Sequence, residues 1–163
     1  MRESALRSPA RWLRVAAIME ARLDLADQSA TEALALHVAR RARPGDLVAL
    51  SGDLGAGKSV FARAFLRELS GDPALDVPSP SFSLVQLYDT PLGQVAHLDL
   101  WRLDGPEALA ELGWDEFRAG LMLVEWPERA GAEIPPDALR ITLLPGAGDD
   151  ARVAELSGWP DRS

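Results

Sequence analysis

Apolar and polar positions divide most of this chain into short strands and amphipathic helices. Arg22 to Ala26 reads as a first strand, and Ser29-Ala30-Thr31-Glu32 then forms a capping box for a helix running to about Arg41. Pro44-Gly45 closes that helix. Asp46 to Ser51 is a brief apolar run of strand length, and Ser59 to Leu69 returns to helical periodicity. From Asp72 to Pro80 no period is visible and three prolines intervene, which predicts a loop placed where a switch could sit. Phe82 to Tyr88 and Gln94 to Trp101 read as two strands joined through Asp89 to Gly93, an antiparallel hairpin. Pro106 to Leu112 and Trp114 to Arg118 are short helices split at Gly113. Leu121 to Glu125 is continuously apolar up to its final acid, as expected of a strand buried on both faces. Leu139 to Leu144 and Arg152 to Ser157 form a closing hairpin across Pro145 to Asp150. The sum is an α/β chain with a mixed, mainly parallel central sheet flanked by helices.

One segment of this pattern carries a chemical signature. Gly52-Asp53-Leu54-Gly55-Ala56-Gly57-Lys58-Ser59 satisfies G-x-x-x-x-G-K-[ST] in full, between a predicted strand and a predicted helix. Glycines let backbone N–H groups converge on phosphate oxygens, and the helix amino terminus adds the positive end of its dipole. Lys58 can follow the β- and γ-phosphates, and Ser59 offers a hydroxyl to Mg²⁺. The nucleotide-contacting run is therefore Asp53, Leu54, Gly55, Ala56, Gly57, Lys58, Ser59 and Val60, and the expected ligands are a nucleoside triphosphate and Mg²⁺. Composition sharpens the reading, because Lys58 is the only lysine and every other basic residue of the 17 is an arginine. A compact ammonium fits a ring of backbone N–H groups where a guanidinium fork would not.

With 163 residues, 47% of them hydrophobic, the chain suits one compact domain, taken as residues 19–163. The first eighteen residues carry four Arg and one Glu and read as a disordered extension, with Met19 an alternative start. No cysteine is present, which excludes disulfides, thiolate metal sites and a cysteine nucleophile and points to the cytoplasm. No apolar run approaches the roughly 18 residues of a membrane span. A net charge of −8 argues against direct, sequence-independent binding of nucleic acid, so any role with RNA would pass through partners.

Hydrolysis needs more than a phosphate loop: a carboxylate for the metal shell and a group that positions the attacking water. Asp99, in His97-Leu98-Asp99-Leu100-Trp101-Arg102, and Glu125, closing the strand before Trp126, are the two carboxylate candidates. Both end strands, where α/β sheets bind their ligands. Strand alternation places His97, Asp99 and Trp101 on one face, and His97 reads as an orienting or packing residue. In Ser79-Pro80-Ser81-Phe82, Ser81 is the candidate switch hydroxyl for the metal or γ-phosphate, against the plain alternative of a turn. Arg102 is either a phosphate ligand or half of a surface ion pair.

Taken in order, L-S-G-D-L-G-A-G-K-S, S-P-S-F, H-L-D-L-W-R and V-E-W-P-E resemble the TsaE (YjeE) family over about Leu25 to Leu144. These are small P-loop ATPases supporting threonylcarbamoylation of tRNA. The resemblance implies the compact P-loop NTPase fold and an accessory ATPase acting with TsaD and TsaB, which would handle tRNA and transfer the group. It also implies that Lys58 and Ser59 serve phosphate and Mg²⁺, Ser81 the switch, and Asp99 and Glu125 between them the metal shell and water, with either carboxylate open to either role. Three positions depart from the family pattern. Ser59 and Ser81 stand where Thr is commoner and keep the hydroxyl, whereas Trp101 replaces a Tyr and loses it. A small-molecule kinase would share the loop but lacks its usual arginine-rich lid here. A GTPase would need an N-K-x-D reader, which a chain with only Lys58 cannot supply. A nucleotide-dependent binding module with negligible turnover is the third class.

Overall fold

The computed structural model describes residues 20–159; the amino-terminal extension read from the sequence lies outside them. A seven-stranded sheet of order β1-β7-β6-β2-β5-β4-β3 runs through the protein. Its strands are β1 (Glu20–Leu25), β2 (Leu47–Ser51), β3 (Val85–Thr90), β4 (Gly93–Asp99), β5 (Leu121–Glu125), β6 (Leu139–Pro145) and β7 (Arg152–Ser157). The central strands β4, β5, β2 and β6 are parallel, and the antiparallel pairs lie toward the edges, β3 on β4 and β6-β7-β1 opposite. Both predicted hairpins are present.

Two buried layers follow from the period-two alternation of β2 and β5. Val48, Leu50, Leu121 and Leu123 face α1 (Gln28–Ala39) and α2 (Lys58–Ser70). On the other face Leu47, Ala49, Met122 and Val124 pack with Leu109 of α3 (Leu109–Leu112) and Trp114 of α4 (Trp114–Phe117). Phe61, Phe65 and Leu66 of α2 are fully buried, each burial stabilising the helix's docking by roughly 1.5–3 kcal/mol. Glu125 and Asp99 share the register of the parallel β4–β5 pair, and β2 runs alongside β5, so the carboxyl ends of all three strands meet at one edge.

Four local expectations need correction. The cap of α1 is Asp27, not Ser29: the Asp27 Oδ1 accepts from the Ala30 amide at 2.9 Å, and its carbonyl takes the amides of Ala30 and Thr31. A carboxylate in extended backbone is well placed for the positive helix end, leaving Ser29 inside the first turn. β3 begins at Val85 rather than Phe82, because Pro80 to Leu84 closes a turn through the Leu84 N–H and Pro80 O at 2.7 Å, with Leu84 at φ 68°. β4 ends at Asp99, so Trp101 lies in the following turn and is not on the strand face of His97 and Asp99. The first turn of the predicted 106–112 helix is a 3₁₀ turn, Pro106–Ala108.

Candidate functional site

The phosphate-loop sequence forms the connection from β2 to α2, as the motif requires. Its tight path depends on Gly52, at φ 153°, where a Cβ would stand 2.9 Å from the Leu143 carbonyl. Gly57 precedes α2 at φ 102°, so no side chain caps the helix, and no acid occupies its first turn. The first amides of a helix have no intrahelical partners, which leaves this positive end suited to an anion. Lys58 is buried at 7% exposure, its Nζ donating to Gly52 O at 2.6 Å and lying 3.8 Å from the centre of the Trp126 ring. Ser59 and the loop tip, Asp53 to Gly55, are open to solvent, and Ala56 is buried; Val60 is half-buried in the first turn of α2.

Facing the loop, β4 and β5 present their odd-numbered residues toward α2. His97, Asp99 and Glu125 are all buried. The His97 Nε2 lies 2.6 Å from the Glu125 Oε2, a diagonal contact across the strand pair. Asp99 accepts from the Trp101 amide at 3.0 Å through Oδ1 and from the Ser81 hydroxyl at 3.4 Å through Oδ2, while Ser81 Oγ is 2.7 Å from Ser79 Oγ. The Pro80–Leu84 turn accounts for the approach of Ser81, since the Asp99 amide in turn donates to Leu84 O at 3.0 Å. The Arg102 guanidinium lies 4.6 Å from the ring centre of Phe82, the exposed neighbour of Ser81.

Burial and charge oppose each other here. Desolvation lowers the Lys58 pKa, and Glu125, Asp99, Glu128 and Asp53 work against it. Asp99 is pushed above the usual carboxylate range by desolvation; the Trp101 amide opposes that shift, Glu125 reinforces it, and Lys58 and His97 oppose it. A cation close to these carboxylates would favour their charged forms. For Mg²⁺, the hydroxyls of Ser81 and Ser59 and the Asp99 carboxylate are the fitting donors, all of them hard oxygens. Glu125 supplies the other carboxylate of the cluster, with one of its two oxygens, Oε2, set against the His97 imidazole.

A family model described as "Threonylcarbamoyl adenosine biosynthesis protein TsaE" matches residues 25–153, a span containing every site residue named above. The tRNA threonylcarbamoyladenosine biosynthesis protein TsaE of Rickettsia felis is 38% identical over 122 residues, covering 74% of this chain and 71% of that one. Its Bacillus subtilis namesake is 35% identical over 134 residues, covering 81% and 82%. The chain belongs to the TsaE family. The fold agrees: the crystal structure of Bacillus subtilis YdiB superposes with a TM-score of 0.70 at 31% identity over 88% of both chains.

Within this TsaE frame, two residues near the phosphate loop have no role from the sequence reading. Trp126, at φ 57°, turns its ring over Lys58 and against Trp101, with ring centroids 4.5 Å apart. Its place in the V-E-W-P-E segment was the available signal. Arg152, at the start of β7, contacts the loop from across the sheet and belongs to no motif, because a guanidinium that reads backbone carbonyls imposes no residue pattern on them.

Proposed function

We propose that this member of the TsaE family is an Mg²⁺-dependent ATPase whose turnover supports the TsaB–TsaD transferase of tRNA threonylcarbamoyladenosine synthesis. The observation that carries this reading is the meeting of Lys58, the Ser81–Asp99 pair and the His97–Glu125 pair at the carboxyl ends of β2, β4 and β5. In this reading the α2 amino terminus and Lys58 hold the β- and γ-phosphates, and Ser59, Ser81 and Asp99 would hold Mg²⁺. Bound there, the ion would offset negative charge on the phosphates. Glu125, fixed by His97, orients a water in line with the γ-phosphorus and accepts its proton as the bond to the β–γ bridging oxygen breaks, leaving ADP and phosphate. His97 acts through Glu125 as a positioning residue.

Recognition of tRNA falls to the partners, in keeping with the net charge of −8. We place the reaction in the cytoplasm; among the described residues no helix is long and apolar enough to cross a membrane. The test is phosphate release from ATP by the purified protein, alone and with TsaB and TsaD, with Lys58→Ala as control and a small-molecule kinase screen in parallel. Weak release that depends on Lys58 and rises with the partners supports the proposal. A phosphorylated small molecule would favour a kinase, and ATP binding without turnover in the full complex would favour a binding module.

A further inference from the structure

Arg152 makes an unusual set of contacts for a residue outside the motifs. Its Nε donates to Ala56 O at 2.8 Å and its Nη2 to Gly55 O at 3.0 Å, both in the phosphate loop. Its Nη1 donates to Asp149 O and Ala151 O, each at 2.7 Å, in the β6–β7 connection. Four of the five guanidinium N–H donors are thereby spent on backbone carbonyls of two loops far apart in sequence. A lysine could not do this: its donors radiate from one point, whereas the fork bonds in two directions at once.

The chemistry of the loop gives these bonds a consequence. In a trans peptide, C=O and N–H point in opposite directions. Anchoring the Ala56 carbonyl on Arg152 therefore turns the Gly57 amide away from the guanidinium, and Gly57 is the residue immediately before α2. The other two bonds fix the β6–β7 connection beside the loop. Between these segments lies a cavity of about 430 Å³, lined by Gly52, Leu54, Leu144, Gly148 and Arg152 among others. One side chain thus positions both walls.

We propose that Arg152 is a positioning residue for nucleotide: it preforms the phosphate loop from its outer, carbonyl side and locks the β6–β7 connection to it. This rests on the ATP reading above. Its effect is on affinity and not on the chemical step, because its bonds go to the scaffold that presents the amides and not to the water-activating pair.

The test compares wild type, Arg152→Met and Arg152→Lys. Three readouts are used: ADP and ATP dissociation constants by calorimetry, KM against kcat for phosphate release, and hydrogen exchange of the amides of residues 55–58 without nucleotide. Arg152→Met should raise both dissociation constants and KM about tenfold to hundredfold, the range expected for losing charged hydrogen bonds, with kcat within about threefold of wild type. The loop amides should exchange faster, and Arg152→Lys should fall between. Should Arg152→Met fail to fold, Arg152→Lys carries the same comparison. Wild-type affinity together with unchanged loop exchange in a folded variant would overturn the proposal, as would a lowered melting temperature with unchanged KM. If wild type itself binds no nucleotide, the ATP reading fails and this inference fails with it; if only the variants match wild type, this inference fails alone.

Discussion

Replacing Glu125 by Gln separates the chemical step from folding and binding. Gln has nearly the same volume and can keep a hydrogen bond to His97, now 2.6 Å from Glu125 Oε2, so the buried carboxyl end of β5 should hold its shape. Glu125 is 5% exposed, so neutralising it removes a desolvation cost while weakening a charge-assisted bond. These oppose each other, and the net change in stability should stay within about 2 kcal/mol. Proton acceptance is lost outright. A positioned general base contributes roughly 10²–10⁴ in rate, which at 1.36 kcal/mol per decade is about 2.7–5.4 kcal/mol of barrier. Phosphate release at saturating Mg·ATP, with TsaB and TsaD present, should fall by that factor while calorimetric ATP affinity stays within a few-fold. Turnover within threefold of wild type in a folded Glu125→Gln variant would refute the assignment and reduce the His97–Glu125 pair to a structural one.

Other outcomes follow from groups away from the chemistry. His37, in α1, has its pKa lowered from 6.5 to about 4, first by burial and then by repulsion from Arg41 and Arg40. The unfolded chain takes up this proton near pH 6.5 and the folded one only near 4, so stability is lost as pH falls through that window. The loss amounts to up to about 3 kcal/mol, less where salt screens Arg40. His37→Gln should flatten this part of the acid limb in urea titrations at pH 7, 5.5 and 4; parallel curves would refute the cause given. Asp27→Ala should cost about 1 kcal/mol in the same assay by removing the α1 cap, whereas Ser29→Ala should cost much less. Lys58→Ala should abolish tight ATP binding, read by calorimetry, because the ammonium sits at the anion-binding end of α2.

Much of this protein was written in local pattern. Leu121–Glu125 and Arg152–Ser157 are strands with the bounds read from the sequence, because a continuous apolar run and an approximate alternation between turn signals are properties of a few consecutive residues. The phosphate loop was equally legible, since its glycines and lysine answer to one geometry, and the combined motifs pointed to the family that the comparisons show. Competing local signals were harder to rank. Asp27 and Ser29 both resemble caps, and only the path of the chain from β1 chooses the first.

What only the tertiary structure decided are the contacts between segments distant in sequence. The register of β4 on β5 sets Asp99 beside Glu125 and brings His97 within reach of it, and the Pro80–Leu84 turn swings Ser81 toward Asp99. Trp126 over Lys58 and Arg152 on the loop carbonyls belong to the same class. Sequence carries periodicity and turn chemistry because these act over a few residues. It carries no signature for a guanidinium bonded to a backbone 96 residues away, because every residue offers the same carbonyl.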